Sequence, residues 1–401
     1  MKQLLRTIAL VVPSPQQRSY HLLGLDVTPV PRPHACTLEE RGFVYQPNLV
    51  RGNKPINIGH AYSILAELPE KVSPYQAPWS IPLSGQRVGI DQSDKSVGIE
   101  QIQQLLSNPE LPWAKKLSVL AVDSAYGVCP FLFKQAQHEN LVTLARVRSN
   151  RVFYQSPPLC EEPAGRGHPL WYGERFDLKD ESTWHQPDET IEFDTTTARG
   201  RLIHVSISAW RQMLMRGSKD CPMHQHPFTL HRILLRDAET GKAIFKRPMW
   251  LIAIGKRRHE LSPRESYQDY CQRFDLEHLF RFSKQKLLMG AYQTPEGDYE
   301  ENWIQLSLLA YVQLWAAREL TVHLPRPWER YLPQPPQGRI TPSNVQRDWN
   351  RITAQMGTPA VVPKPRGKPP GRLKGQSQPP RERQPVIKKG KKAEKKQPVT
   401  T

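Results

Sequence analysis

The first half of the chain is built from short apolar runs separated by turn-forming residues. Tyr20-His-Leu-Leu-Gly-Leu-Asp26 reads as a buried strand that ends in an aspartate, with Pro29, Pro31 and Pro33 stopping it. A polar loop with Arg51, Gly52 and Lys54 leads to a second strand over residues 58–68 and a third over 79–83. Residues 93–107 have helical spacing, with Val97, Ile99, Ile102, Leu105 and Leu106 on one side. Leu117-Ser-Val-Leu-Ala-Val-Asp123 is a continuous apolar run, as expected of a strand covered on both faces, and it too ends in an aspartate. A short helix over 131–140 and a fifth strand over 141–147 complete this part. Residues 154–263 have a different texture, with strands expected at 201–210, 228–236 and 243–254 and a turn at Glu239-Thr-Gly241.

Tyr270-Cys-Gln-Arg-Phe-Asp-Leu-Glu-His-Leu-Phe-Arg-Phe-Ser-Lys284 reads as part of one amphipathic helix that ends at Gly290. At about 100° per residue, Tyr270, Arg273, Glu277 and Lys284 fall within roughly 60° of one another. One carboxylate thus shares a narrow stripe with two cations and a phenol, and the rest of the circumference is largely apolar. An acidic loop over 295–302 and a buried helix over 303–320 follow. That apolar stretch carries Gln305, Ser307, Gln313, Arg318 and Glu319, which argues against a membrane span. Pro325, Pro327, Pro333, Pro335 and Pro336 mark a linker, with a short helix expected over 343–355. From Gly357 onward the chain is rich in Pro, Lys, Arg and Gln, and it is expected to be disordered.

Charge narrows the choice of partner. The formal charge is +18 over 401 residues, and residues 357–401 hold 13 Lys or Arg against two Glu. The remainder is still basic, at +7. Such a balance favours a polyanion, since each cation that neutralises a phosphate releases a counterion. No basic amphipathic helix or lipidation motif points to a membrane. Cys36, Cys129, Cys160, Cys221 and Cys271 are odd in number and irregularly spaced, which suits reduced thiols in a cytosolic protein. The N-terminal apolar run is short and is followed by Pro13 and Pro15, unlike a signal peptide. Cys221-Pro-Met-His-Gln-His226 offers three zinc donors without an obvious fourth, and Cys129 reads as structural.

Three strands, a helix, a strand, a helix and a strand, with Asp26 ending the first strand and Asp123 the fourth, are the element order of a ribonuclease-H-like domain. In that fold the two strand ends lie side by side, and a later helix brings a carboxylate across the same edge. Glu277 supplies it. Converging carboxylates suit hard cations such as Mg²⁺. Without metal they should repel one another and raise at least one pKa.

The spacing Y-x2-R-x3-E-x6-K of Tyr270, Arg273, Glu277 and Lys284 resembles the signature of a large group of insertion-sequence transposases of the DDE class. Leu22-Leu-Gly-Leu-Asp26 resembles that family's first catalytic strand, and Val119-Leu-Ala-Val-Asp123 its second. Arg146-Val-Arg-Ser-Asn-Arg151 resembles its basic motif after the fifth strand. The resemblance spans residues 20–320. It implies a ribonuclease-H-like mixed α/β sheet flanked by helices, with a β-rich insertion before the last catalytic helix. The expected boundaries are an N-terminal remnant (1–19), the first part of the core (20–153), the insertion (154–263) and the catalytic and buried helices (264–322). A Pro-rich linker with a short helix (323–356) and a disordered basic tail (357–401) follow.

By the same resemblance Asp26, Asp123 and Glu277 are catalytic residues and ligands of two Mg²⁺ ions, with Mn²⁺ as a substitute. Tyr270, Arg273, Lys284, Arg148 and Arg151 contact DNA. The implied reaction is strand cleavage at the terminal inverted repeats of a transposon, then attack by the freed 3′-OH, with a hairpin intermediate in related enzymes. Target DNA and a synaptic homodimer are the implied partners, in the cytoplasm and associated with the nucleoid. Trp210 and Trp250 are candidates for stacking on a flipped base. Family members usually carry a helical DNA-binding region before the first catalytic strand, and only about 20 residues precede it here. That keeps two alternatives open, a non-catalytic DNA-binding remnant and a nuclease of the same fold that does not join strands.

Overall fold

The computed structural model describes residues 2–45, 55–73, 75–158, 170–197, 200–321, 339–357, 367, 371, 375–377 and 380–388. The expected loop of Arg51 and Lys54, Cys160, the prolines of the linker and most of the basic tail lie outside these residues.

Helix α1 (Lys2–Ala9) precedes β1 (His21–Pro31), β2 (Gly42–Tyr45), β3 (Ile56–Glu67) and β4 (Ile81–Arg87). Next come α2 (Asp94–Leu106), α3 (Pro112–Lys115), β5 (Ser118–Val122), α4 (Cys129–Ala136) and β6 (Leu141–Val147). Ser93 starts α2 with a capping box, its side chain accepting from Ser96 N–H. The three apolar runs at β1, β5 and β6 form a parallel trio with β5 in the centre. All five residues of β5 are buried, as its uninterrupted apolar sequence predicts.

Proline does not stop β1 at Asp26. The strand continues through Pro29 and Pro31, paired with Ala61 and Gly59 of β3. Its other neighbour, β5, has already ended, so that side of β1 is an edge where a missing N–H costs nothing.

The strands of the expected insertion continue the same sheet. β7 (Val152–Tyr154) and β8 (Arg175–Asp177) form a small separate ribbon, and β9 (Glu189–Thr196), β10 (Leu202–Met213), β11 (Phe228–Asp237) and β12 (Met249–Ile254) follow. β12 pairs antiparallel with β6, so the main sheet runs β2-β3-β1-β5-β6-β12-β11-β10-β9, with β4 also on β3. This is a mixed sheet flanked by helices, the expected fold class.

Helices α5 (Pro263–Gln272), α6 (Asp275–Gln285) and α7 (Gly297–Ala316) cover one face, and α2 and α4 cover the other. Neighbours in β1 show the division: a Cβ on Gly24 would meet Leu276 of α6, whereas the Leu25 side chain reaches Gly98 of α2. α8 (Pro342–Met356) packs on α7. Trp210 and Trp250, 2% and 1% exposed, belong to an aromatic core with Phe176 and Trp184, which places both indoles away from any base.

The expected acidic loop at 295–302 is mostly the first turn of α7, where Asp298 and Glu300 favour the positive end of the helix dipole. Glu300 is fully buried. It accepts from Arg32 Nε at 3.0 Å and Tyr62 OH at 2.9 Å, and it lies 2.9 Å from His60 Nδ1. This carboxylate ties α7 to β1 and β3. Breaking a buried ion pair by removing one partner costs about 3–5 kcal/mol. Glu300→Gln should lower unfolding stability by that amount in a denaturant titration; a loss below about 1 kcal/mol would contradict the assignment.

Candidate active site

Two aspartates meet because two parallel strands share a register. Gly24 of β1 pairs with Ala121 of β5, and the same offset sets Asp26 beside Asp123. Their backbones are then one strand spacing apart, about 4.8 Å, with both side chains on the same face. That face is the one under α5 and α6, because Gly24 and Asp26 are two residues apart on β1. Gly24 itself permits the approach: a Cβ there would stand 2.9 Å from Leu276 Cδ1 and push α6 off the strand.

The expected single helix from Tyr270 to Lys284 is two helices. α5 ends at Gln272, and α6 begins at Asp275. At the joint the backbone tightens, with Phe274 N–H donating to Cys271 O, Leu276 N–H to Arg273 O and Glu277 N–H to Phe274 O. α6 ends at Gln285, short of Gly290. Tertiary contacts hold the joint from both sides: Gln272 Nε2 donates to Pro69 O, and Arg273 turns to β1. Tyr270 therefore sits on α5, Arg273 at the joint, and Glu277 and Lys284 on α6.

Arg273 Nη1 donates to Asp26 Oδ2 at 2.9 Å, with the guanidinium buried and the carboxylate 24% exposed. Burial works against the Arg273 charge, but Asp26, Tyr270, Asp123 and Glu277 favour it and leave its pKa raised. One guanidinium thus feels all three expected carboxylates. Burial also lifts the Asp26 pKa; Arg273 and the Val27 N–H pull it down, and Asp123 pushes it up. The anticipated rise is present, and desolvation outweighs repulsion as its cause. Asp123 Oδ1 accepts the Ala125 N–H at 2.9 Å, which folds the turn after β5.

Two half-buried aspartates with oxygen donors in register fit a hard divalent cation. Glu277 is exposed, and among the described residues no three His, Cys, Asp or Glu side chains are grouped closely enough to hold a metal ion. In this arrangement Arg273 supplies the positive charge beside Asp26.

Tyr270 is 1% exposed, with its hydroxyl in hydrogen-bonding reach of Arg146 and Arg273. Burial raises its pKa and the two guanidinium groups oppose that. Lys284 is partly buried, and desolvation lowers its pKa to about 8. Arg151 Nη2 donates to Gly127 O at 3.2 Å, so it braces the turn that follows Asp123. Arg148 is exposed and lines an open cleft of about 510 Å³ together with Ser124, Arg146, Asn150, Lys179 and Arg247. Among the described residues no acidic side chain lines it. Local sequence gave no signal for Arg247, which precedes β12 where it pairs with β6, or for Lys179, which follows the β7–β8 ribbon where Leu178 N–H donates to Arg151 O. In the other candidate donor set, His224 stacks on Trp171 and His226 packs edge-on against Phe133.

A family model described as DDE superfamily endonuclease matches residues 1–217. The match covers more than half of the chain, including Asp26 and Asp123, and the chain belongs to that family. The class is therefore that of DDE transposases and endonucleases, which act on DNA and generally use divalent metal ions. No curated protein matches the sequence significantly. Among the described residues no helix is long and apolar enough to cross a membrane.

The Arg273–Asp26 pair makes a prediction that needs no substrate. Arg273→Gln removes the largest influence that lowers the Asp26 pKa, so that pKa should rise further. Carboxyl ¹³C NMR in a pH titration would show it, and an unchanged or lower value would contradict the pairing.

Proposed function

We propose that the chain is a metal-dependent DNA transposase of the Y-R-E-K group, cutting at the ends of an insertion sequence and joining the freed 3′-OH to the opposite strand or to target DNA. The observation that carries this reading is the registered pair Asp26 and Asp123, lying under a helix joint that brings Arg273 to the same carboxylates. Asp26, Asp123 and Glu277 would hold two divalent ions, Mg²⁺ by the chemistry of the donors, with Mn²⁺ as a substitute. Bound there, such ions activate an attacking oxygen and stabilise the leaving one.

The chain's own cations do the remaining work. Arg273 is held close to the reacting edge and exchanges Asp26 for a DNA phosphate. Tyr270 and Arg146 form a contact that keeps Arg273 in place, and Lys284 binds a phosphate from α6. Arg148 takes the backbone of the same strand in the basic cleft, and Arg151 positions the Asp123 turn. Phosphate contacts of this kind fix the register of the DNA without reading its bases. A synaptic homodimer holding both inverted repeats completes this reading, with a hairpin as the intermediate.

A second reading is a DNA-binding protein that does not cut. It draws on the exposed position of Glu277, which among the described residues belongs to no group of three potential ligands.

Excision of the native element from a reporter plasmid separates the two. Glu277→Gln keeps the shape of the side chain and removes its charge. It should reduce excision at least about 100-fold, on the order of 3 kcal/mol of transition-state stabilisation. Equal excision by wild type and variant would remove Glu277 from the ligand set. No excision by either, with DNA binding intact, would favour the second reading.

Lys284 adds a pH dependence. Its folded-state pKa is depressed to about 8, so it is charged at neutral pH and loses its proton as pH rises towards 9. Affinity for a DNA duplex should fall over that interval in wild type and stay flat in Lys284→Arg, measured by fluorescence anisotropy at constant salt. A parallel fall in both would show that Lys284 does not contact DNA.

A further inference from the structure

A cavity of about 300 Å³ opens where the sheet meets the first residues of α5. Ala209, Thr229 and His231 line it from the paired strands β10 and β11, and Arg258 and His259 line it from the segment between β12 and α5. A bulge shapes it. The register of β10 shifts between Trp210 and Met213, so Arg211 and Gln212 oppose Thr229 alone. Gln212 takes a left-handed conformation there, at φ 56°, and Ala209 leaves open the space beside His231.

His231 is 1% exposed, yet among the described residues neither of its ring nitrogens has a hydrogen-bond partner. Buried polar groups normally have one, and a neutral imidazole offers one donor and one acceptor. Burial alone pushes its pKa down to about 4, so the ring is neutral at neutral pH. Arg258 is also partly buried. Its guanidinium donates to Gln212 Oε1 at 2.9 Å and to Gly255 O at 3.4 Å, both uncharged, and burial lowers its pKa. Arg211, by contrast, is compensated by Glu189 at 2.8 Å. The cavity therefore combines an uncompensated guanidinium with an unpartnered imidazole.

An occupant that suits both carries negative charge for Arg258 and oxygens that exchange hydrogen bonds with His231 and the Thr229 hydroxyl. Phosphate meets both needs, since two of its oxygens match the guanidinium fork. A terminal phosphate has a second pKa of about 6, so it can donate to the imidazole as well as accept from it. The strand register places the cavity relative to the aspartates. Glu189, Ala209, His231, Leu251 and Arg146 are successive partners across the sheet, and the pairing of Ala145 with Val122 continues this row to Asp123. Three strand spacings, about 14 Å, separate His231 from Asp123. α5 begins at the cavity with Pro263 and leads to the Arg273 joint.

We propose that this cavity binds a terminal phosphate group, carried by free phosphate or by the end of a DNA strand, with Arg258 as counter-charge and His231 and Thr229 as its hydrogen-bonding floor. The site stands independently of how the chain cuts DNA.

The test uses the full chain with ¹³C-labelled histidine, the His231 signals being assigned by their loss in His231→Asn. Inorganic phosphate should shift these signals at neutral pH and raise the ring pKa by at least about 1 unit, because a bound anion favours the charged imidazole. Arg258→Gln, with its fold checked by circular dichroism, should weaken phosphate binding at least about 10-fold, and Arg258→Lys should recover part of the loss. Two identical single strands, one with a 5′-phosphate and one with a 5′-hydroxyl, identify the source. A shift with the phosphorylated strand alone assigns the site to DNA ends; a shift with inorganic phosphate and neither strand assigns it to free phosphate. An unmoved His231 with every probe would overturn the proposal. So would an equal shift with the 5′-hydroxyl strand, or undiminished phosphate affinity in Arg258→Gln.

Discussion

Contact between Arg273 and Asp26 is the constraint on which the site depends. It requires α6 to lie directly on β1, and Gly24 allows this because Leu276 occupies the space a side chain would fill. The helix also breaks here, between Gln272 and Asp275. The tight turn between Gln272 and Asp275 lets one residue reach the aspartate and the next apolar residue seat on the strand. A guanidinium in that place lowers the cost of two neighbouring half-buried carboxylates and sits where a DNA phosphate would draw it away.

Around this centre the sheet works as a long platform. β1, β5 and β6 hold the aspartates, and β12 through β9 extend the sheet to one side without a break. α5 spans the junction. Its Tyr267 and Tyr270 pack with Ile207, Ile233 and Leu251 of the extension, while Tyr20 OH, just ahead of β1, donates to Asp269 at 2.8 Å. The helix that leads into Arg273 is thus gripped by both halves of the sheet. The opposite face of the extension is sealed by the Phe176, Trp184, Trp210 and Trp250 cluster, and Arg232 lies over the Trp184 ring. Arg247, just ahead of β12, and Lys179, in the loop after β8, line the cleft beside the turn that follows Asp123.

At the other end, the prolines of β1 and the docked tail treat the same problem in two ways. Pro29 and Pro31 face a side with no strand to pair with, and residues 384–387 cover a side that would otherwise stay open. Both leave the β1–β3–β2 wall projecting past the aspartates without an exposed run of pairing groups.

Much of this was legible in the sequence because it depends on local order and period. Apolar runs ending in Asp26 and Asp123, the helical spacing after Ser93 and the strand at 141–147 need only neighbours a few residues away. The fold class followed from their order, and the Tyr270, Arg273, Glu277 and Lys284 spacing marked the stretch that lies over the strand ends. Other features depend on partners far along the chain, and no local pattern carries them. The helix break is set by Pro69 and Asp26, more than 200 residues away. Glu300 looked like part of an acidic loop, because its burial is decided by Arg32 and His60. The prolines looked like a strand end, because only the stagger of β5 frees that edge. Periodicity records which face of an element is apolar; which element that face meets, and which charge waits there, is settled only when the whole sheet has closed around it.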